Sequence, residues 1–218
     1  AGIPGAYSYT EKKIVVDKLL TYDPDLLIIY DGWNDLQHSY ETYEKGVEES
    51  KDAAYSIIRL LRQTDYVTTH VLMKWWFDFR HNSIDILEFN PDKMKEKASL
   101  WKDQWIDICK IQKEYDYKTM IVLQPIVGSG NKILTSEEQY YLYHYDGKKA
   151  GQYYSLFAEM LKELESSCTT TLDLRYTFDS YTETIFYDWG HVGDYGNQII
   201  ASQIYDQVKL IIVEDLGN

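Results

Sequence analysis

Asp188 and His191 stand three residues apart in Asp188-Trp189-Gly190-His191, and Asn34 sits in Gly32-Trp33-Asn34-Asp35 at the end of an apolar run. These residue types suit acyl transfer. An imidazole accepts the nucleophile's proton, a carboxylate fixes its tautomer, and rigid N–H donors stabilise the oxyanion. His191, Asp188 and Asn34 match those three tasks, but a nucleophile is missing from the pattern. Ser8 opens Ser8-Tyr9-Thr10-Glu11, a helix capping box that accounts for it without catalysis. Ser129, in Val127-Gly128-Ser129-Gly130-Asn131, lacks the Gly-x-Ser-x-Gly spacing and follows Pro125 instead of leading tightly into a helix.

Taken singly, each motif has an ordinary structural reading. Asn and Asp beside Gly are favoured at any turn, and Asp188 could cap a helix while His191 sits at the surface. Their placement toward opposite ends of one chain favours a shared site. Asp31, Asp35 and His38 fall short of a zinc set and lack calcium-loop spacing, so no metal is expected. Aromatic residues at helical spacing, such as Trp75-Trp76-Phe77, read as core. Trp33, Trp189 and Tyr187, near the motifs, are the substrate-contact candidates.

The elements that must carry these residues follow from periodicity. Ile14, Val15, Leu19 and Leu20 recur at helical spacing up to about Tyr22, and Asp25–Tyr30 is a short apolar run of the kind found in a strand buried on both faces. Helices are predicted over 40–62 and 71–77, and Pro91 fits the first turn of a long helix reaching about Tyr115. A second buried strand covers 118–124 and stops at Pro125. A helical stretch capped by Thr135 or Ser136 breaks near Asp146-Gly147 and resumes over 151–165. A third strand spans 170–174, and a last helix 193–213. Helices alternating with apolar strands give an α/β class with a parallel sheet covered on both faces. Ligands on such sheets bind beyond the carboxyl ends of the strands, where both motifs fall.

The 218 residues suit one domain. A formal net charge of −13 disfavours nucleic acid and anionic membrane surfaces. No run approaches the roughly 18 apolar residues that cross a bilayer. The two cysteines, Cys109 and Cys168, read as free thiols. The opening Ala1-Gly2-Ile3-Pro4-Gly5 has no basic start followed by an apolar stretch, so no signal peptide is recognised.

Together these elements resemble the SGNH hydrolases, the GDSL-type esterases and lipases. Ala1-Gly2-Ile3-Pro4-Gly5 is similar to the family's second block, Gly32-Trp33-Asn34-Asp35 to its Gly-x-Asn-Asp block, and Asp188-Trp189-Gly190-His191 to its Asp-x-x-His block, in the family's order. The resemblance implies a three-layer α/β/α, flavodoxin-like parallel sheet. It assigns the backbone N–H of Gly5 and the side-chain amide of Asn34 to the oxyanion, His191 to the base and Asp188 to its orientation. The family's Gly-Asp-Ser block is absent from the sequence. The expectation is therefore a single domain over 1–218 that is truncated at its N-terminus, with the family's first strand, its serine turn, the next helix and most of the second strand preceding Ala1.

The implied activity is that of a cofactor-free serine ester hydrolase working through an acyl-enzyme on small-molecule or carbohydrate esters, acetyl esters among them. The chain alone is expected to be inert. An SGNH-fold binding module without catalysis, or an acyltransferase using the same site, are the alternatives. Because the family's first strand lies beside Asp25–Tyr30, that strand is expected to be paired on both sides, by upstream residues, a separate fragment or a second copy.

Overall fold

A computed structural model describes residues 6–37, 90–144 and 147–216. The chain divides into two units, 1–36 with 89–218 and 37–88, and the description concerns the first. The helices expected over 40–62 and 71–77, Trp75-Trp76-Phe77, His38 and Gly5 lie outside the described residues.

Helix α1 (Ser8–Asp17) is followed by a 3₁₀ turn (Leu19–Tyr22), strand β1 (Leu26–Asp31) and the short helix α2 (Trp33–Gln37). Helix α3 (Pro91–Ile111), β2 (Lys118–Leu123), α4 (Ser136–His144), α5 (Gly147–Leu164), β3 (Thr170–Asp173) and α6 (Asp194–Leu216) complete the order. Pro91 opens α3 as expected, because its missing N–H falls where a helix has no internal acceptor for it. Asn90 caps that end by accepting the Asp92 N–H at 2.9 Å.

The three strands form a parallel sheet in the order β1-β2-β3. Central β2 is nearly buried throughout because its alternate residues enter two layers. Ile121 and Leu123 join Leu27, Ile29, Trp101, Trp105 and Phe157 on one face, the side of α1, α3 and α5. Met120 and Val122 join Leu174, Phe178, Phe186 and Ile200 on the other, the side of α6. This is the expected mixed α/β architecture, with helices on both faces of a parallel sheet.

Strand β1 departs from the double burial read from its apolar run. Its exposure alternates: Leu27 and Ile29 are buried, whereas Ile28 and Tyr30 are 44% and 39% exposed. Among the described residues β1 pairs with β2 alone, and the second partner expected for it was to come from outside them. The physical reason is its place at the edge of the described sheet, where one face lies beyond the reach of α6. The N-terminal reading of α1 also shifts by one residue. Tyr7 is the N-cap and makes no side-chain cap bond, and Ser8 is the first helical residue.

Cys109 and Cys168 are joined in a disulfide, not free, because α3 ends beside the turn that leads into β3 and leaves the two Cα atoms 4.8 Å apart. Around this junction Gln112 Oε1 accepts the hydroxyls of Thr119 and Thr169, each at 2.9 Å, and its Nε2 donates to the Ser167 backbone carbonyl at 2.8 Å. The amino ends of β2 and β3 are thereby tied to α3. A bridge closing 59 residues restricts the unfolded chain by about 4 kcal/mol in the chain-entropy account. Reduction of the native protein with a strong thiol should therefore lower its unfolding free energy in urea by a few kcal/mol without changing its far-UV circular dichroism at low denaturant.

Candidate active site

The turn after β1 is built around Gly32. Its φ of +121° is rarely adopted by an L side chain, and a Cβ there would sit 2.6 Å from both Leu123 Cδ1 and Tyr154 Oη. With no room to relax, the turn delivers Trp33, Asn34 and Asp35 into α2 in fixed positions. The Asn34 amide donates to the Ala6 carbonyl at 2.6 Å. One amide hydrogen thus holds the segment ahead of α1. Asp35 reinforces the same junction by accepting the Ser8 N–H at 3.0 Å on one oxygen and the Ser8 hydroxyl on the other. Asp35, from 27 residues away, therefore takes the capping task that the local motif assigns to Ser8 itself.

The second segment is a tight hairpin. Phe186 and Val192 pair antiparallel, the Tyr187 N–H donates to the His191 carbonyl at 2.9 Å, and the Gly193 N–H to the Ile185 carbonyl at 3.1 Å. Within it Asp188 Oδ1 accepts the N–H groups of Gly190 and His191 at 2.8 and 2.7 Å, while Oδ2 lies 2.7 Å from His191 Nδ1. Three residues of spacing are what a carboxylate needs to close this turn on itself. Burial alone would raise the Asp188 carboxyl, but the two backbone N–H groups and the imidazole outweigh it and hold the group below its ordinary value. With Nδ1 directed at the carboxylate, Nε2 is the nitrogen left to exchange a proton. The imidazole is 76% exposed, so a reactant has access to it.

Trp33 and Trp189 bring the two segments together. Their rings meet edge to face with centroids 3.8 Å apart and planes at 89°. A Cβ on Gly190 would lie 2.8 Å from the Trp33 indole, so only glycine permits this approach beside His191. The Trp189 carbonyl also accepts the Val127 N–H at 2.9 Å, which ties the hairpin to the loop after β2. Of the aromatic substrate-contact candidates, Trp33 is buried and Trp189 half-buried, so both serve this junction, whereas Tyr187 is 67% exposed. Ser129 is buried, and its hydroxyl donates to the Ile126 carbonyl at 2.7 Å as a loop staple.

Sequence reasoning missed Glu138. Its carboxylate is buried, pairs with Lys132 at 2.7 Å and accepts the N–H groups of Ile185 and Phe186 at 2.9 and 3.2 Å, the base of the His191 hairpin. It also closes a reciprocal cap with Thr135, a bond of 3.0 Å from the Thr135 N–H and one of 3.4 Å to the Thr135 hydroxyl. The Thr-x-x-Glu signature was visible; the partners across 47 residues were not. Burial would raise this carboxyl, but Lys132 and the backbone donors hold it below the ordinary range.

Beneath the Gly32 turn the electrostatics run the other way. Burial raises Asp31 well above the usual carboxylate range, with Asp35 and Glu11 adding repulsion, although the Gly32 N–H and the Trp101 indole N–H at 3.1 Å oppose it. Burial likewise lifts Asp35 to about 6 against its bonds from Ser8, and burial together with the Asp35 charge lifts Glu11 to about 7.

No protein-family model and no curated protein matches the chain. Among solved structures it is similar to the crystal structure of an acetyl xylan esterase, AlAXEase, with a TM-score of 0.51 over 95% of this chain and 79% of that one. At 14% identity the likeness concerns the fold.

Two outcomes follow from this geometry. Replacing Glu138 by Ala leaves Lys132 buried without its partner and the hairpin base without its acceptor, which should lower stability by about 3–5 kcal/mol in chemical denaturation. The raised carboxyls set a pH trend. Glu11 and Asp35 hold protons in the folded state, whose values are about 7 and about 6, after the unfolded chain has released them near 4.5 and 3.8. The folded state then binds more protons, so stability should fall as pH rises across that window and level off above it. Calorimetry should give a higher melting temperature near pH 5 than near pH 8, with a shallower trend in Asp35→Asn.

Proposed function

We propose that this chain is the greater part of a serine ester hydrolase of the SGNH type, one domain over 1–218 with its fold completed by a serine-bearing segment outside this sequence. The observation that carries the reading is the Asp188–His191 pair, with Nδ1 on the carboxylate, packed through Trp189 and Gly190 against the turn that presents Asn34. The likeness of fold to an acetyl xylan esterase supports it. The edge of β1 that has no strand partner among the described residues is where a serine-bearing strand would join the sheet.

In this mechanism His191 Nε2 takes the proton of the incoming serine as its oxygen adds to the ester carbonyl. The oxyanion receives the second amide hydrogen of Asn34 and the backbone N–H of Gly5. Asp188 holds the imidazole in the required tautomer and stabilises the imidazolium. Collapse expels the alcohol, to which His191 returns the proton, and a water deprotonated by His191 then releases the acid. The substrate class is an acetyl or other short acyl ester on a carbohydrate, the type named for the structural neighbour.

The test uses the protein translated with its upstream sequence. It should hydrolyse p-nitrophenyl acetate and label with a fluorophosphonate at an upstream serine, while the 218-residue chain stays unlabelled. His191→Ala should abolish turnover, and Asn34→Ala should reduce it by about 10²–10³ as one oxyanion donor is lost. Undiminished turnover in His191→Ala would refute the reading, as would fluorophosphonate labelling at Ser8 or Ser129.

A further inference from the structure

Exposed tyrosines occur at both ends of the sheet, and their settings differ. Tyr22 and Tyr115, 80% and 48% exposed, precede β1 and β2 and so lie at the amino end, away from the candidate site. Tyr187 and Tyr195, 67% and 50% exposed, flank the His191 hairpin. Tyr187 is bonded through its backbone to His191, and Tyr195 lies in the first turn of α6.

Both rings are held in place despite their exposure. The hydroxyl end of Tyr187 rests on Gly193, where a Cβ would come within 2.6 Å of Cζ and Oη, so a larger residue there would displace the ring. Tyr195 meets Tyr181 edge to face at 5.9 Å, and Tyr181 meets buried Phe178 at 6.5 Å, a chain of aromatic contacts that anchors the outer ring to the core. An exposed apolar ring fixed before binding gives up little rotamer freedom when a ligand covers it. The ligand that suits such a ledge has flat apolar faces and polar edges, as a pyranose does: its C–H face lies on the ring and its hydroxyls stay in water. Asp188 and Asp194 adjoin the two tyrosines in sequence within a chain of net charge −13, so an acidic polymer is repelled and a neutral one is not.

We propose that Tyr187 and Tyr195 form a stacking ledge that seats a neutral sugar chain beside His191, on the alcohol side of the ester. This assignment rests on the hydrolase reading for its meaning, but binding of an ester-free sugar needs no nucleophile. The two readings can therefore fail separately.

The probe is xylohexaose titrated into the 218-residue chain by isothermal titration calorimetry, with oligogalacturonate as the acidic comparison. Saturable binding of xylohexaose at millimolar concentrations is expected. Tyr187→Ala and Tyr195→Ala should each weaken it by about tenfold, the scale of one stacked ring, while Tyr187→Phe retains it and Tyr22→Ala, at the other end of the sheet, leaves it unchanged. Tyr195→Ala keeps the test decisive if loss of the Tyr187 ring disturbs the hairpin. Absence of binding, equal loss in Tyr22→Ala, or preference for oligogalacturonate would overturn the ledge. Sugar binding by a complete protein that fails to cleave p-nitrophenyl acetate would overturn the hydrolase reading and leave the ledge standing.

Discussion

The edge-to-face contact of Trp33 with Trp189 joins two stretches that the chain keeps far apart, and it works because the residue after Trp189 is a glycine. An indole edge carries partial positive charge and its neighbour's face partial negative, which favours the perpendicular arrangement over a stack. Around it, Gly32 locks Trp33 in direction and the Asp188 turn locks His191. The acid–base pair and the amide donor are thus held by backbone constraints, and few long side-chain rotamers need to be frozen to align them.

The two ends of the sheet divide the work. At the amino end the disulfide and the Gln112 bonds tie α3 to β2 and the entry of β3. At the carboxyl end the chain makes loops and short turns, and the polar groups that hold these, Glu138, Asp188 and Ser129, accept from three, two and one backbone N–H groups respectively. Side chains aligned on loops need a scaffold that does not move with them. Here the scaffold is β2, buried on both faces and common to the two hydrophobic layers.

What the sequence disclosed was local, and what it hid depended on contacts across the fold. Asp-x-x-His, Gly32, Pro91 and the β2 run could be read because each satisfies its own neighbours within a few residues. Ser8 misled because a capping signature specifies a helix start without specifying which residue supplies the acceptor; Asp35 supplies it from another element. The cysteines misled because their pairing depends on where α3 ends relative to β3. Trp33 read as a substrate-contact candidate and proved buried, since an aromatic in a Gly-x-Asn-Asp turn looks the same in sequence whether it faces a substrate or a second tryptophan. Glu138 was visible only as a cap, and its hold on the hairpin needed the fold.

Burying Glu11, Asp31 and Asp35 close together under the Gly32 turn has a structural logic. A carboxyl group can accept the Ser8 N–H and hydroxyl, as Asp35 does, and another can accept the Trp101 indole, as Asp31 does, without bringing a bulky partner into the turn. Three negative charges at this density would repel strongly in a low-dielectric interior, so the raised affinity for protons is the means by which the cluster stays folded. Protonation also lets one carboxyl donate to another and keeps the acceptors satisfied. The turn that presents Asn34 therefore rests on carboxyls whose burial raises their affinity for protons, while the Asp188–His191 pair rests on a carboxylate held below its ordinary value. Acid favours the first and works against the second only below the ordinary carboxylate range, which leaves mildly acidic conditions as the region where both halves of the site are in their stable form.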